Sequence, residues 1–273
     1  MRRQLLAFDL DGTLAESKSP IGVPTAGLLA ALLEHYDVCV ISGGSLAQIR
    51  TQVVELLPID RRRLGRIHLL PTSGSRCYRF DDATSAWVVR FSEDLTDADK
   101  RRIVDVVTAV AKDLGLWEPH PTGEILEDRG GQITFSALGQ EAPTALKYAW
   151  DPDGAKRERL RSRLAPLLAD FAVRTGGTTS IDVTRQGVDK ASGIGKLATY
   201  LGLAAADILF FGDQLQAGGN DNPVRSLGVD CISVRDAQDT VVALESILAV
   251  AETVSRADGM PPASALTIRH RRR

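Results

Sequence analysis

Residues 4–13 read QLLAFDLDGT, an apolar run that ends in two aspartates and a turn. The run from Gln4 to Leu10 predicts a short buried β-strand. Open parallel sheets bind their ligands at the carboxyl ends of their strands, which is where Asp9 and Asp11 would lie. Asp-Gly is also ordinary turn chemistry, so an acidic turn without a catalytic role remains an alternative at this point.

The flanking sequence alternates between strands and helices. In the first part of the chain, the expected elements are a helix over 24–36, a strand over 37–41, a helix that starts within 42–45 and runs to about Leu57, and a strand over 66–70. From Asp189 onward, they are a helix to about Leu201, strands over 207–211 and 230–234, and a helix from Asp236 to about Val254. This alternation predicts an α/β fold with a doubly wound parallel sheet, a Rossmann-like core.

The middle of the chain follows a different pattern. Its expected elements are a hairpin over 76–80 and 87–91, an amphipathic helix over 96–114, strands over 124–127, 132–136, 171–174 and 180–183, and a charged helix over 153–168. Short strands interspersed with helices predict a separate α+β domain. We therefore predict a core of residues 1–82 and 186–273, interrupted by an inserted α+β cap domain of residues 83–185.

A second acidic cluster follows a later apolar strand. FFGD at 210–213 is followed by GGND at 218–221, and a parallel sheet would bring both clusters to one edge. Crowded carboxylates suit a hard divalent cation such as Mg²⁺. We predict that Asp9, Asp11 and Asp213 are metal ligands, and that Asn220 and Asp221 hold these ligands in place without binding the ion themselves. A glycine-rich surface loop could produce the same residues by chance.

The two aspartates of the first motif suit phosphoryl transfer. Asp9 would attack phosphorus as a nucleophile and form a phospho-aspartate. Asp11 would exchange a proton with the leaving or entering hydroxyl. A bound magnesium ion would neutralise the charge of the incoming phosphate, so the motif predicts a magnesium-dependent phosphotransferase.

Two further motifs could hold the phosphate. Ser42 ends a predicted strand, where its hydroxyl and the amides of Gly43 and Gly44 could donate to a phosphate. Lys190 precedes a predicted helix and could supply a positive charge to the transferring group. The plainer interpretations are a helix N-cap for Ser42 and a solvated side chain for Lys190.

At these four motifs the sequence resembles the haloacid dehalogenase superfamily, and the insertion resembles the large α+β cap of its type IIB branch. Within that branch it is most similar to the eukaryotic-type phosphomannomutases, in SIDV at 180–183, GVDK at 187–190, and the FFGD and GGND motifs. The resemblance implies that Ser180 and Asp182 hold sugar hydroxyls and that Arg129 reaches a phosphate. It also implies that Lys18 contacts the substrate, at a position where the family carries an arginine.

The sequence departs from that family in the cap. The family places further phosphate-binding arginines there, and the matching positions are Gln140 and Lys147. One cation is lost, and the other changes from a bidentate fork to a point charge. The region after Asp221 also lacks the family's second ion loop, so no second metal is expected.

Three functions remain open from the sequence. The first is a phosphomannomutase-like mutase, with hexose-1,6-bisphosphate as a possible activator. The second is a sugar-phosphate phosphatase that admits water to the phospho-aspartate. The third is a non-catalytic module that senses a phosphosugar.

The composition of the chain limits the classes of molecule that it is expected to bind. The 273 residues carry 33 Lys and Arg against 35 Asp and Glu, a formal net charge of -2, so no overall field attracts nucleic acid or an anionic membrane. Three widely spaced cysteines favour a reduced, cytoplasmic protein. We expect a small phosphosugar as partner, no nucleic acid and no membrane, a solvated basic tail from Ala257, and a homodimer through the caps, as the family resemblance implies.

Overall fold

The structure is a computed structural model that describes residues 4–257. The described strands are β1 Leu5–Asp9, β2 Asp37–Ile41, β3 Ile67–Leu70, β4 Arg76–Asp81, β5 Ala86–Ser92, β6 Leu126–Asp128, β7 Gln132–Ser136, β8 Phe171–Gly176, β9 Ser180–Arg185, β10 Ile208–Gly212 and β11 Asp230–Ser233. The α-helices are α1 Val23–Leu32, α2 Leu46–Gln52, α3 Arg61–Leu64, α4 Asp97–Asp113, α5 Thr144–Trp150, α6 Ala155–Leu164, α7 Lys190–Leu201, α8 Asn222–Arg225 and α9 Ala237–Ala257. The basic tail that we expected to be solvated lies outside the described residues.

One seven-stranded sheet forms the core. Its strand order is β11-β10-β1-β2-β3-β4-β5, and the first five of these strands are parallel. Strand β1 is buried along its whole length because Leu6 and Phe8 pack into one apolar layer and Leu5 and Ala7 into the layer on the opposite face. The chain runs from β1 outward to β3 and then returns to β10 on the other side of β1. This reversal creates a ligand-binding crevice at the carboxyl ends of β1 and β10.

The cap has a sheet and an apolar core of its own. Its antiparallel strand order is β6-β7-β9-β8. Ile133, Phe135, Ile181 and Val183 lie on one face of this sheet and pack with the buried side of α4 and α6. The stripe of α4 that includes Ile103 therefore covers the cap sheet.

The α/β core with an inserted α+β cap is confirmed, and one boundary changes. The expected boundary after residue 82 falls inside the β4–β5 hairpin, which pairs from Arg76 to Ser92. Because β4 also pairs with β3, both hairpin strands extend the core sheet, so the chain enters the cap after Ser92. The sequence patterns also missed three short helices, α3, α5 and α8.

Two further properties of the described residues concern the length of their apolar helices and the state of their thiols. Among the helices of residues 4–257, none combines the length and the apolar character needed to cross a bilayer. The three cysteines are free thiols, and burial raises the pKa of Cys39 and Cys77.

Candidate active site

The predicted catalytic motifs meet at one edge of the core sheet. Asp9 ends β1, Ser42 follows β2 and Asp213 follows β10, and all three line one cavity of about 240 Å³. Gly12 lets the first and last of these motifs approach each other, because its φ is +87° and a Cβ there would lie 2.6 Å from Asp213 Oδ2. The cavity also contains Lys190, so the core motifs form one site.

Lys190 links two buried carboxylates at the bottom of the site. Its Nζ lies 2.5 Å from Asp9 Oδ1 and 2.7 Å from Asp221 Oδ1, and each of the three side chains is at most 7% exposed. Burial raises the pKa of Asp9 to about 7, partly offset by the positive charge of Lys190. The two carboxylates raise the pKa of Lys190 in spite of its burial, so the lysine stays charged. Lys190 is thus buried in the site, and the plainer interpretation of a solvated side chain is wrong.

The local sequence fixes the position of Lys190. Asp189 caps helix α7 by accepting a hydrogen bond from the Ser192 amide at 2.8 Å, and Ser192 Oγ accepts one from the Asp189 amide at 3.0 Å. Lys190 is the first residue of that helix and lies a few residues beyond the end of β9. A reciprocal cap of this kind sets where a helix starts, so it also sets where the lysine points.

The acidic cluster fits a divalent cation. Carboxylate oxygens of Asp9, Asp213 and Asp221 lie within 4.8 Å of one another. Asp221 is satisfied by Lys190 and by the Gln214 amide, which donates to Oδ2 at 3.0 Å. Asp213 Oδ1, in contrast, is buried without a hydrogen-bond partner. A buried, unpaired carboxylate oxygen beside a second carboxylate is the donor set that a hard cation requires.

Asp11 and Asp221 differ from their expected positions. The carboxylate of Asp11 is not part of the acidic cluster, because its Oδ1 accepts the amide N–H of Lys18 at 2.7 Å. Asp11 still lines the cavity, where an acid or base would have to lie. Asp221, predicted only to support the ligands, brings an oxygen into the cluster itself. Asn220 lines the cavity and is exposed.

The phosphate-binding turn after β2 differs in detail from the prediction. Helix α2 is capped by Ser45, whose Oγ accepts the Gln48 amide at 3.3 Å, so the N-cap interpretation of Ser42 is wrong. Ser42 is 2% exposed, and its Oγ accepts the Gly44 amide at 3.0 Å. The Ser42 hydroxyl therefore keeps its proton to donate into the cavity, whereas the Gly44 amide is already used.

The cap turns a polar face toward this edge. Side chains alternate along β7 and β9, so the face opposite the cap core carries polar residues. Ser180 and Asp182 line the cavity, as the family resemblance implies. Asp182 Oδ1 accepts hydrogen bonds from Thr134 Oγ1 at 2.8 Å and from Gln132 Nε2 at 2.9 Å. Burial raises the pKa of Asp182, and the charge of Arg129 partly offsets it.

Two cap residues dock on a single carbonyl of the core. Gly43 O accepts Arg129 Nη1 at 3.1 Å and Gln132 Nε2 at 3.2 Å. Arg129 also pairs with Glu127 at 2.6 Å, which partly neutralises the charge expected to reach a phosphate. Its Nε is buried without a partner. The cap thus rests on the turn that follows β2.

The cap cation at position 147 is buried and is not part of the cavity wall. Lys147 is 2% exposed, and its Nζ donates to the Gln140 carbonyl at 2.6 Å. Burial and the neighbouring charge of Lys18 lower the pKa of Lys147 to about 8. Lys18 and Gln140 do line the cavity, and the Nε2 of Gln140 is buried without a partner.

Sequence reasoning missed several cavity residues of the cap. These are Thr134, Arg174, Thr184 and, as a docking residue, Gln132. The alternation of polar and apolar residues along 132–136 and 180–184 was the signal that could have identified three of them. Arg174 depends on how β8 pairs with β9, which the sequence does not reveal.

The chain is similar to one protein family over most of its length. A family profile described as "Eukaryotic phosphomannomutase" matches residues 28–250. A "Probable phosphomannomutase" from Caenorhabditis elegans is 24% identical over 257 residues, which cover 90% of this chain and 96% of that protein. "Phosphomannomutase" from Triticum aestivum is 25% identical, and the match covers 89% of this chain and 94% of that protein. "Phosphomannomutase 1" from Homo sapiens is 23% identical, and the match covers 86% of this chain and 89% of that protein.

Solved structures share the fold at lower identity. A haloacid dehalogenase-like hydrolase from Bacteroides thetaiotaomicron matches with a TM-score of 0.61 and 17% identity, over 90% of this chain and 100% of that one. IMP-nucleotidase from Plasmodium falciparum matches with a TM-score of 0.65 and 16% identity, over 90% of this chain and 62% of that one. These similarities establish the architecture of core and cap.

Proposed function

Because the chain belongs to the eukaryotic phosphomannomutase family, we propose that it interconverts mannose-1-phosphate and mannose-6-phosphate through a phospho-aspartate at Asp9. The observation that carries this proposal is the single cavity in which Asp9 of the core faces Ser180 and Asp182 of the cap. A phosphate held near Asp9 and a sugar held by the cap is the arrangement that the reaction needs. The non-catalytic alternative is not supported, because the nucleophile and its lysine lie in contact.

The chain's own residues account for the steps. Asp9 attacks phosphorus, an Oδ–P bond forms, and the bond from phosphorus to the sugar oxygen breaks. Asp11 donates a proton to that leaving oxygen and later removes one from the hydroxyl that accepts the phosphoryl group. Lys190 holds Asp9 and balances charge, while Ser42 donates its hydroxyl to a phosphate oxygen. The sugar that first gives up its phosphoryl group is a hexose-1,6-bisphosphate, the activator, and the phospho-aspartate then passes that group to O6 of mannose-1-phosphate. The bisphosphate so formed turns around in the cavity and returns its O1 phosphoryl group to Asp9, so that mannose-6-phosphate leaves.

We propose that the divalent cation is Mg²⁺, held by Asp9 and Asp213. Oxygen ligands and a phosphate substrate favour this ion over softer metals. When bound, it neutralises charge on the transferring phosphoryl group.

Asp213→Asn should raise the magnesium concentration for half-maximal activity by about tenfold or more and lower the maximal rate. The reason is that the amide replaces a carboxylate whose Oδ1 is unpaired in the protein. Titration of activity with magnesium chloride after chelation checks this. Asp170→Asn is the matched control, because it makes the same substitution at an exposed carboxylate outside the cavity and should leave the magnesium midpoint within about twofold. An unchanged midpoint in Asp213→Asn would contradict the assignment.

The mutase is favoured over the phosphatase alternative by its relatives and by cap docking. Arg129 and Gln132 both hold the cap on Gly43, and a docked cap limits the access of water to a phospho-aspartate.

The decisive measurement follows phosphorus species by NMR. The protein is incubated with magnesium, mannose-1-phosphate and a trace of hexose-1,6-bisphosphate. We expect mannose-6-phosphate without stoichiometric inorganic phosphate. Accumulation of inorganic phosphate as the main product would instead identify a phosphatase.

The Michaelis constant should depend on pH through Lys147. The pKa of about 8 means that Lys147 loses its charge as pH rises through that value. Lys147 does not line the cavity, so its charge acts on the phosphate only at a distance, and KM for mannose-1-phosphate should rise by only about two- to threefold between pH 7 and pH 9.5. Lys147→Arg keeps its charge over this range and should flatten the profile. Equal pH profiles for the two proteins would exclude Lys147 as the titrating group.

We further propose a cytoplasmic protein that binds neither nucleic acid nor membrane. The near-neutral net charge supports this. A homodimer formed through the caps is also proposed, as the family resemblance implies. The buried stripe of α4 does not serve as its interface, since Ile103 and Val107 are fully covered within the cap.

A further inference from the structure

Arg174 is a cavity-lining cation that no motif identifies. It lies in β8 directly across from Asp182 of β9. Neighbouring strands place such opposite residues on the same face, with Cβ atoms about 5 Å apart. The side chain of Arg174 therefore projects from the polar face of the cap sheet into the cavity that holds Asp9.

The guanidinium of Arg174 is held by neutral groups only. Its Nη1 donates to the Val188 carbonyl at 2.7 Å and lies 3.4 Å from Thr184 Oγ1. Within residues 4–257, no carboxylate lies in ion-pair distance of Arg174 and no hydrogen bond uses its Nε or Nη2. The Nη1 group of the guanidinium is therefore fixed by the protein, whereas Nε and Nη2 are available to a ligand.

The other cavity cations are less available. Lys190 is shared by Asp9 and Asp221, and Arg129 pairs with Glu127. Lys147 is buried behind the wall, and Gln140 carries no charge. Lys18 remains and, like Arg174, is exposed, but its ammonium is a point charge and cannot bind a phosphate as a planar fork does.

We propose that Arg174, a guanidinium of the cavity wall that is not paired with a carboxylate, binds the phosphate that is not being transferred. This inference rests on the proposed function, because it assigns a residue to the second phosphate of a hexose bisphosphate. The fork would direct Nε or Nη2 at the phosphate oxygens while Nη1 stays on Val188. Charge-assisted bonds of this kind are short and directional.

Binding can be measured without turnover in an Asp9→Asn background. Glucose-1,6-bisphosphate is titrated into the protein by calorimetry with magnesium present, and Arg174→Gln is compared with its parent. We expect the Kd to rise by about tenfold to a hundredfold. Arg174→Lys should lose less, about three- to tenfold, because charge is kept and the fork is lost.

Arg102→Gln is the matched control. Arg102 is an exposed cap arginine that pairs with Asp170 at 2.8 Å, and it does not line the cavity. Its Kd should stay within about twofold, since surface ion pairs contribute little. Thermal unfolding midpoints within about 2 °C of the parent would exclude a folding defect in the Arg174 variants. If Arg174→Gln does not fold, the Kd of Arg174→Lys alone tests the role of Arg174.

The outcomes separate this inference from the proposed function. An unchanged Kd in a folded Arg174 variant, or an equal loss in Arg102→Gln, overturns the role of Arg174 and leaves the mutase untouched. A wild-type protein that binds the bisphosphate but does not interconvert the two mannose phosphates overturns the mutase. In that case a higher Kd for the bisphosphate in Arg174→Gln would still assign the phosphate contact to Arg174.

Discussion

Asp9→Asn should lower the rate of mannose-1-phosphate conversion by about 10⁴-fold or more, because a neutral amide cannot attack phosphorus. Phosphorus NMR measures the rate, and acid-quenched protein measures the acyl phosphate, which should be absent. The substitution should not unfold the protein. Burial raises the pKa of Asp9 to about 7, so the folded state gains little from its charge, and the amide avoids that burial cost.

Asp105→Asn serves as the control for Asp9→Asn. Asp105 is an exposed carboxylate in the middle of α4 and does not line the cavity. Its loss should change the rate by less than about twofold. Substantial turnover in Asp9→Asn would remove the phospho-aspartate from the mechanism altogether.

Lys190→Met should lower the free energy of unfolding by about 3–5 kcal/mol and abolish turnover. Lys190 is 3% exposed and contacts two carboxylates that are 7% and 0% exposed, so its removal leaves buried charges without a cation. Urea unfolding in the presence of a chelator measures the loss, because a bound divalent cation would otherwise compensate.

The loss should shrink as pH falls. Without Lys190, the raised pKa of Asp9 rises further, since the cation was the main influence that lowered it. A carboxyl group whose pKa is higher in the folded state than in the unfolded state takes up its proton preferentially on folding. The destabilisation is therefore largest at alkaline pH, above the folded-state pKa of Asp9 in the variant, and declines as pH falls through that value. A pH-independent loss would point to packing rather than charge.

Lys196→Met provides the comparison on the same helix. Lys196 pairs with Glu93, and both side chains are 36% exposed. An ion pair at that exposure contributes at most about 1 kcal/mol. Equal losses in the two lysine variants would contradict the assigned difference between buried and exposed pairs.

The core could be predicted from sequence because its function lies at strand ends. Asp9, Ser42 and Asp213 each follow a short apolar run directly, and a parallel sheet has only one edge at which such residues can meet. Local sequence and tertiary position therefore agree. The position of Lys190 is predictable for a second reason. The capping motif around Asp189 marks the start of a helix, and a helix start can be recognised from a few residues.

The cap was less predictable because its site depends on non-local pairing. The position of Arg174 follows from the register between β8 and β9, and register is set by packing that spans the whole cap. Lys147 was expected to contact the phosphate, but it lies in helix α5 as a buried side chain that does not line the cavity. The boundary at residue 82 failed because a hairpin pattern does not indicate which sheet the hairpin joins.

The position of β1 in the middle of the sheet has a consequence for synthesis on the ribosome. One neighbour of β1 is β2, which follows soon after it, but the other is β10, which starts at Ile208. Until that segment emerges, one edge of a strand that is fully buried in the folded protein stays unpaired, and such edges promote aggregation. The cap strands lie between these partners and pair only with one another. We therefore expect the inserted domain to fold first during translation, while the nascent core depends on chaperones until β10 closes it.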